Sequence, residues 1–110
     1  LVRFGWTGRY GPIEFYTESP YLSTQACLWL ADRGLRLLGV DIPSIDSHNH
    51  GYKSANDAPN HHALLGRGLF LTESLANLHK LSGHTVRLMV FPLNILGGDG
   101  APARCFASDD

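Results

Sequence analysis

The sequence predicts an α/β fold. Three observations carry that expectation. Apolar residues recur at helical spacing in one segment, a nearly continuous apolar run follows it directly, and short β-rich and helical segments alternate along the rest of the 110 residues.

The elements are taken in chain order. Val2 to Trp6 is β-rich and reads as a strand. Thr7 to Pro20 holds Gly8, Gly11, Pro12 and Pro20 and reads as a loop. Ser23 to Arg33 carries Ala26, Cys27, Leu30 and Ala31 on one helical face, with Ser23 as N-cap and Gly34 just past the end. Leu35 to Val40 is the apolar run, the pattern of a strand covered on both faces. Asp41 to Asn60 is rich in Pro, Ser, Asn, Asp and His, so it reads as a long loop, and long loops in compact domains are often functional. A short helix over His61 to Gly66 follows, then a short strand over Leu69 to Thr72. Ser74 to Leu81 reads as a helical turn or two, because Leu75, Leu78 and Leu81 fall in register. Thr85 to Asn94 is the longest strand. Gly97 to Pro102 is a turn, and Ala103 to Ala107 a final strand.

Nine basic and ten acidic residues leave a formal net charge of −1, so no global field favours nucleic acid or an acidic membrane. No apolar run reaches the roughly 20 residues that span a bilayer. Only 17% of residues are charged, below the usual quarter or so. So few charges imply that part of the surface is buried against another copy or a partner chain. The chain opens without Met inside a β-rich stretch, as a fragment or a processed product would. Cys27 and Cys105 form no CxxC motif, and two reduced thiols fit a cytoplasmic protein better than one long-range disulfide.

Four of the six histidines lie between positions 48 and 62. Neutral imidazole is the commonest metal ligand, and carboxylates complete many catalytic sites. His61 and Glu73 stand 12 residues apart, one at the head of a short helix and the other at the end of a short strand. A helix–turn–strand of that length can return both to one place. The ordinary alternative is two unrelated surface residues. His48-Asn49-His50 spells HNH but lacks the context of that nuclease, and reads better as a loop near a substrate mouth. Asp41 and Asp46 are either paired carboxylates or, more simply, caps of the turn after the buried strand. His79 and His84 read as solvated. GGDG lacks the Lys and spacing of a phosphate loop and reads as a tight turn. Trp6, Tyr10, Phe15, Tyr16 and Tyr21 make an aromatic first segment, for packing or as a platform for a flat substrate.

Longer strings carry a resemblance. HHALLGRGLFLTESLANLHKL resembles a pattern of His, Leu-Leu, Gly, then Glu followed by Leu and Asn-Leu in the cyclase family of arylformamidases, kynurenine formamidases and isatin hydrolases. RGLRLLGVDIPSID, FPLNILGGDGAPARCFA and the opening RFGW are similar to that family's segments in the same order. The resemblance implies the C-terminal half of a swivelling β/β/α domain, a mixed sheet with flanking helices, as one partial domain over residues 1–110. It implies a divalent metal, zinc or manganese, and hydrolysis of a C–N amide bond in a small aromatic amide by metal-activated water. His61 and Glu73 are then metal-binding and catalytic, with Trp6 and His62 contacting substrate. The ordinary reading of His62 is an exposed helix-start residue. The family's main metal motif, His-x-Gly-Thr-His-x-Asp-x-Pro-x-His, does not occur here, and His48-Asn49-His50 does not replace it. Three readings stay open: the catalytic half of such a hydrolase, a catalytically incomplete relative used for binding or oligomerisation, and an unrelated interaction domain.

Overall fold

The computed structural model describes residues 1–49 and 57–109. His50, the last residue of the HNH string, lies outside the described residues, as do residues 51–56 of the long loop. The chain divides into two compact units, Leu1–Ala76 and Asn77–Asp110.

In the first unit a three-residue 3₁₀ turn, Thr7–Arg9, precedes α1 (Glu14–Thr17) and α2 (Thr24–Asp32). Then come β1 (Leu37–Gly39), α3 (Pro59–Leu65) and β2 (Phe70–Thr72). Strands β1 and β2 pair in parallel, Leu37 with Phe70 and Gly39 with Thr72, and α3 lies on the connection between them. On the other side of β1, Val2 bridges Val40 in parallel, and the Val2 amide donates to the Gly39 carbonyl at 2.8 Å. The nearly apolar run 35–40 thus becomes the middle of a small parallel arrangement, with Leu38, Gly39 and Val40 buried and Arg36 exposed.

Helix α2 forms where its apolar spacing places it. The Ser23 hydroxyl accepts from the Ala26 amide at 3.2 Å, satisfying one of the free N–H groups of the first turn. Gly34 ends the segment with φ +74°. A side chain there would be strained in the left-handed region, so Gly34→Ala is expected to lower stability by about 1 kcal/mol, read as a lower thermal midpoint. Cys27 of α2 packs with Leu38, Val40, Ile42, Ile45, Leu64 and Leu69 in one core cluster.

Three sequence expectations need correction. Val2 to Trp6 is not a strand beyond the bridge at Val2. The Phe4 and Gly5 amides turn instead to the Asp41 carboxylate, and Gly5 adopts φ +76°. The loop from Thr7 to Pro20 is more ordered than its glycines and prolines suggest, because Phe15 is buried at 1% exposure and carries α1 with it. Ser74 to Leu81 holds a single short helical turn, later than its leucines suggest. Ser74 (φ 55°) and Asn77 (φ 63°) take left-handed conformations, and only Leu78–Lys80 makes a 3₁₀ turn. The Ser74 and Leu75 amides donate to the carbonyls of Ile42 and Val40 rather than to their own turn.

The second unit is an antiparallel hairpin of β3 (Val86–Pro92) and β4 (Ala103–Asp109), with Val86 opposite Asp109 and Pro92 opposite Ala103. Its base is tied by the Asp109 carboxylate, which accepts from the Ser82 amide and hydroxyl and the Gly83 amide. These bonds hold that carboxyl below its ordinary range, the Ser82 hydroxyl most. A parallel pair with helices in the first unit and an antiparallel pair in the second make this an α/β chain, as the sequence predicts, with the two kinds of pairing in separate two-stranded sheets among the described residues.

Candidate functional site

Helix α3 begins without a local cap. Its N-cap is Ala58 at φ 48°, which offers no side-chain acceptor, and Pro59 has no amide to satisfy. The open amides belong to Asn60 and His61, and both are taken by Asp46, fourteen and fifteen residues earlier. Its Oδ1 accepts from the Asn60 amide at 2.9 Å and its Oδ2 from the His61 amide at 3.0 Å. Asn60 is itself buried at 1% exposure. Its Nδ2 donates to the carbonyls of Leu22 and Ile45, and its Oδ1 accepts from the Thr24 hydroxyl. Loop 41–46, α2 and α3 are therefore joined through one amide side chain.

That clamp fixes the head of α3, and the His61 ring projects from it. Nδ1 lies 2.7 Å from Asp46 Oδ2, and Nε2 lies 3.4 Å from Glu73 Oε1. Glu73 follows the last residue of β2, and the same Oε1 accepts from the Ile45 amide at 2.9 Å. The expectation that a helix–turn–strand returns His61 and Glu73 to one place is thus met in the geometry. The site is half-open, with the His61 and Glu73 side chains 28% and 25% exposed and Asp46 only 5%.

The ring stands between two carboxylates, and its pKa is raised to about 9. Glu73 at Nε2 is the larger cause. Burial opposes it, and Asp46 at Nδ1 adds to it. Asp46 is the nearer carboxylate, but its charge is already shared with two backbone amides. In the metal-free chain this makes stability pH-dependent. The folded pKa lies above the ordinary 6.5, so the stabilisation is complete below pH 6.5 and is lost as pH rises through about 9. It amounts to roughly 3 kcal/mol at most. Urea midpoints at pH 6 and pH 9.5 are expected to differ in the native chain and to converge in His61→Ala.

The other candidates lie apart from this group. Trp6 is half-buried against the core. Its indole Nε1 donates to the Phe15 carbonyl at 2.8 Å, and the Arg9 guanidinium sits 4.5 Å from its ring. Phe15 packs edge-on with Tyr10 and Tyr16, so much of the aromatic segment serves packing. His62 turns outward, 72% exposed, with Nε2 3.9 Å from an Asp57 oxygen. His79 and His84 are exposed, as expected. Both cysteines are free, and burial together with the charge of Asp46 pushes the Cys27 thiol up to about 11.

Asp41 and Asp46 are not caps of their own turn. Asp41 Oδ1 and Oδ2 reach the amides of Phe4 and Gly5, while Asp46 reaches α3. Neither bond is local, so the capping reading failed where it assumed partners close in sequence. Asp46 is the member of the site that sequence reasoning missed. The available signal was a buried-strand exit carrying two aspartates ahead of a helix that has no capping residue of its own.

Among the described residues no three His, Cys, Asp or Glu side chains are gathered as a complete set of metal ligands. The pair nevertheless fits part of one. In the neutral ring, Nε2 and Oε1 are two acceptors facing each other, which is stable only with positive charge between them. A divalent cation would be held between Nε2 and Oε1, which lie 3.4 Å apart. No helix among the described residues is long and apolar enough to cross a membrane.

With this geometry in place, the chain can be compared with known proteins. A family model described as "Putative cyclase" matches residues 1–47, a stretch that includes Asp41 and Asp46 but ends before His61. The kynurenine formamidase of Salinibacter ruber is 40% identical over 80 residues, covering 73% of this chain and 35% of that protein. Those of Bacillus cereus and Geobacillus thermodenitrificans are each 31% identical over 99 residues, covering 89% and 90% of this chain and 44% and 43% of theirs. The chain thus spans about two fifths of the length of the curated relatives it matches. A solved structure described as that of a potential metal-dependent hydrolase with cyclase activity superposes with a TM-score of 0.62 at 26% identity, covering 80% of this chain and 40% of that one. Sequence and fold agree over most of the chain's length, and it belongs to the cyclase family.

Proposed function

We propose that this segment contributes His61 and Glu73 to the active site of a metal-dependent hydrolase that opens the C–N bond of an aryl formamide or a cyclic amide. The observation that carries the reading is the Nε2–Oε1 pair, a ring nitrogen and a carboxylate oxygen held 3.4 Å apart by independent elements. The kynurenine formamidase relatives support the reaction class, and the metal-dependent structural relative supports a metal.

His61 Nε2 and Glu73 Oε1 would hold the cation, zinc or manganese. When bound, it would supply Lewis acidity and a hydroxide-like nucleophile near neutral pH. Alternatively, whichever of His61 and Glu73 does not hold the cation would move a proton towards the leaving nitrogen, a role typically worth about 100- to 10,000-fold in rate. Trp6 would offer an aromatic face to a flat substrate, and the exposed His62 a polar contact beside it. Both units would then be parts of one partial domain, working in the cytoplasm.

Two protein ligands leave a cation mostly hydrated, whereas catalytic zinc sites usually use three. The 110-residue chain alone is therefore expected to bind zinc or manganese weakly and to leave formylated aromatic amines intact. Titration calorimetry of the native chain, His61→Ala and Glu73→Gln tests this, and equal binding by all three would sink the site. A second reading, a binding or oligomerisation module, is favoured by the exposed Met89, Phe91 and Phe106 on one face of the hairpin. It forecasts self-association or partner docking in sedimentation, with no metal response at His61.

A further inference from the structure

Asp46 does more than close the head of α3. Two acceptor contacts suffice for the two open amides, yet Asp46 makes a third, to the ring of His61. One oxygen, Oδ2, faces both the backbone amide and Nδ1 of the same residue, at 3.0 and 2.7 Å. Backbone and ring are thereby held to one point, which fixes how the imidazole leaves the helix. A carboxylate that keeps two backbone amides is an acceptor only, so the ring atom facing it carries the hydrogen. The partner of one ring nitrogen decides the state of the other.

We propose that Asp46 is a positioning residue. It holds His61 in the Nδ1–H form and aims the bare Nε2 at the gap before Glu73. This deepens the hydrolase reading and rests on it for its purpose, but the arrangement itself is a property of the chain.

The test uses the full 110-residue chain, with zinc alone as the probe. Nitrogen NMR of the His61 ring, above the pH at which it becomes neutral, is expected to show hydrogen on Nδ1 and none on Nε2. Asp46→Asn keeps the shape and loses the charge. It is expected to disturb that state and to weaken zinc binding about 10- to 100-fold, the usual effect of losing a ligand's orienting partner. Thr24→Val is the control, since it removes the hydroxyl that Asn60 Oδ1 accepts and so loosens the same region without touching the ring. It is expected to lower the thermal midpoint and leave both ring state and zinc affinity as they were. Hydrogen on Nε2 in the native chain overturns the proposal, as does an Asp46→Asn variant with unchanged ring signals, or a Thr24→Val variant that shifts them equally. Should Asp46→Asn fail to fold, the native ring state decides alone. Should zinc leave the His61 signals unmoved, the metal reading falls while the ring state still judges Asp46.

Discussion

Glu73→Gln, in an enzyme that carries this segment, is expected to cut turnover by about 100- to 10,000-fold, far more than its effect on the thermal midpoint accounts for. The Gln carbonyl can still accept the Ile45 amide, so the bond that seats loop 41–46 survives. What goes is the charge and basicity facing His61 Nε2. His61→Ala is expected to cost a comparable factor in rate. The double variant should be little worse than either, because groups that act as a unit are not additive. Rate and melting temperature measured on the same three proteins separate this from a structural role, in which any loss of rate would follow the loss of stability. Normal turnover in Glu73→Gln would end the assignment.

The largest expected effect on stability belongs to Asn60. Replacing it with Ala leaves the Leu22 carbonyl and the Thr24 hydroxyl without this partner and takes one of two donors from the Ile45 carbonyl, which still accepts from the Leu22 amide. Each unsatisfied buried group costs about 1–3 kcal/mol before relaxation and water entry reduce it, so a loss of about 3 kcal/mol is expected. Chemical denaturation of Asn60→Ala against the native chain measures it. A change within about 0.5 kcal/mol, the usual range for surface substitutions, would show that this junction is not what joins α2, loop 41–46 and α3.

The legible parts of the fold were those governed by neighbours in sequence. Helix α2 shows its apolar face, its Ser23 cap and its Gly34 stop within a dozen residues. Strand β1 shows itself as a nearly apolar run because Leu38 within it and Val40 just after it are buried in the core cluster. The spacing of His61 and Glu73 was legible because one helix and one strand separate them. Asp46, Asn60 and Asp41 were not, since their partners lie 14 to 38 residues away and a carboxylate or amide in a loop has many nearer amides to choose from. The stretch after Glu73 misled for a related reason. Its leucines have helical spacing, but the Leu75 amide is drawn to Val40, and a long-range bond overrides a short periodic pattern.

The two thiols sit in different surroundings, Cys27 fully buried in the first unit and Cys105 half-exposed on β4 in the second. A thiol-specific reagent can reach Cys27 only when α2 parts from its core, whereas at Cys105 it needs far less movement. Labelling at Cys27 is then a clock for opening of the first unit, running at the rate at which that unit exposes its interior. Cys105 keeps a separate and faster clock for the hairpin. Mass spectrometry of the two tagged peptides would time the two openings in one sample, with no engineered probe.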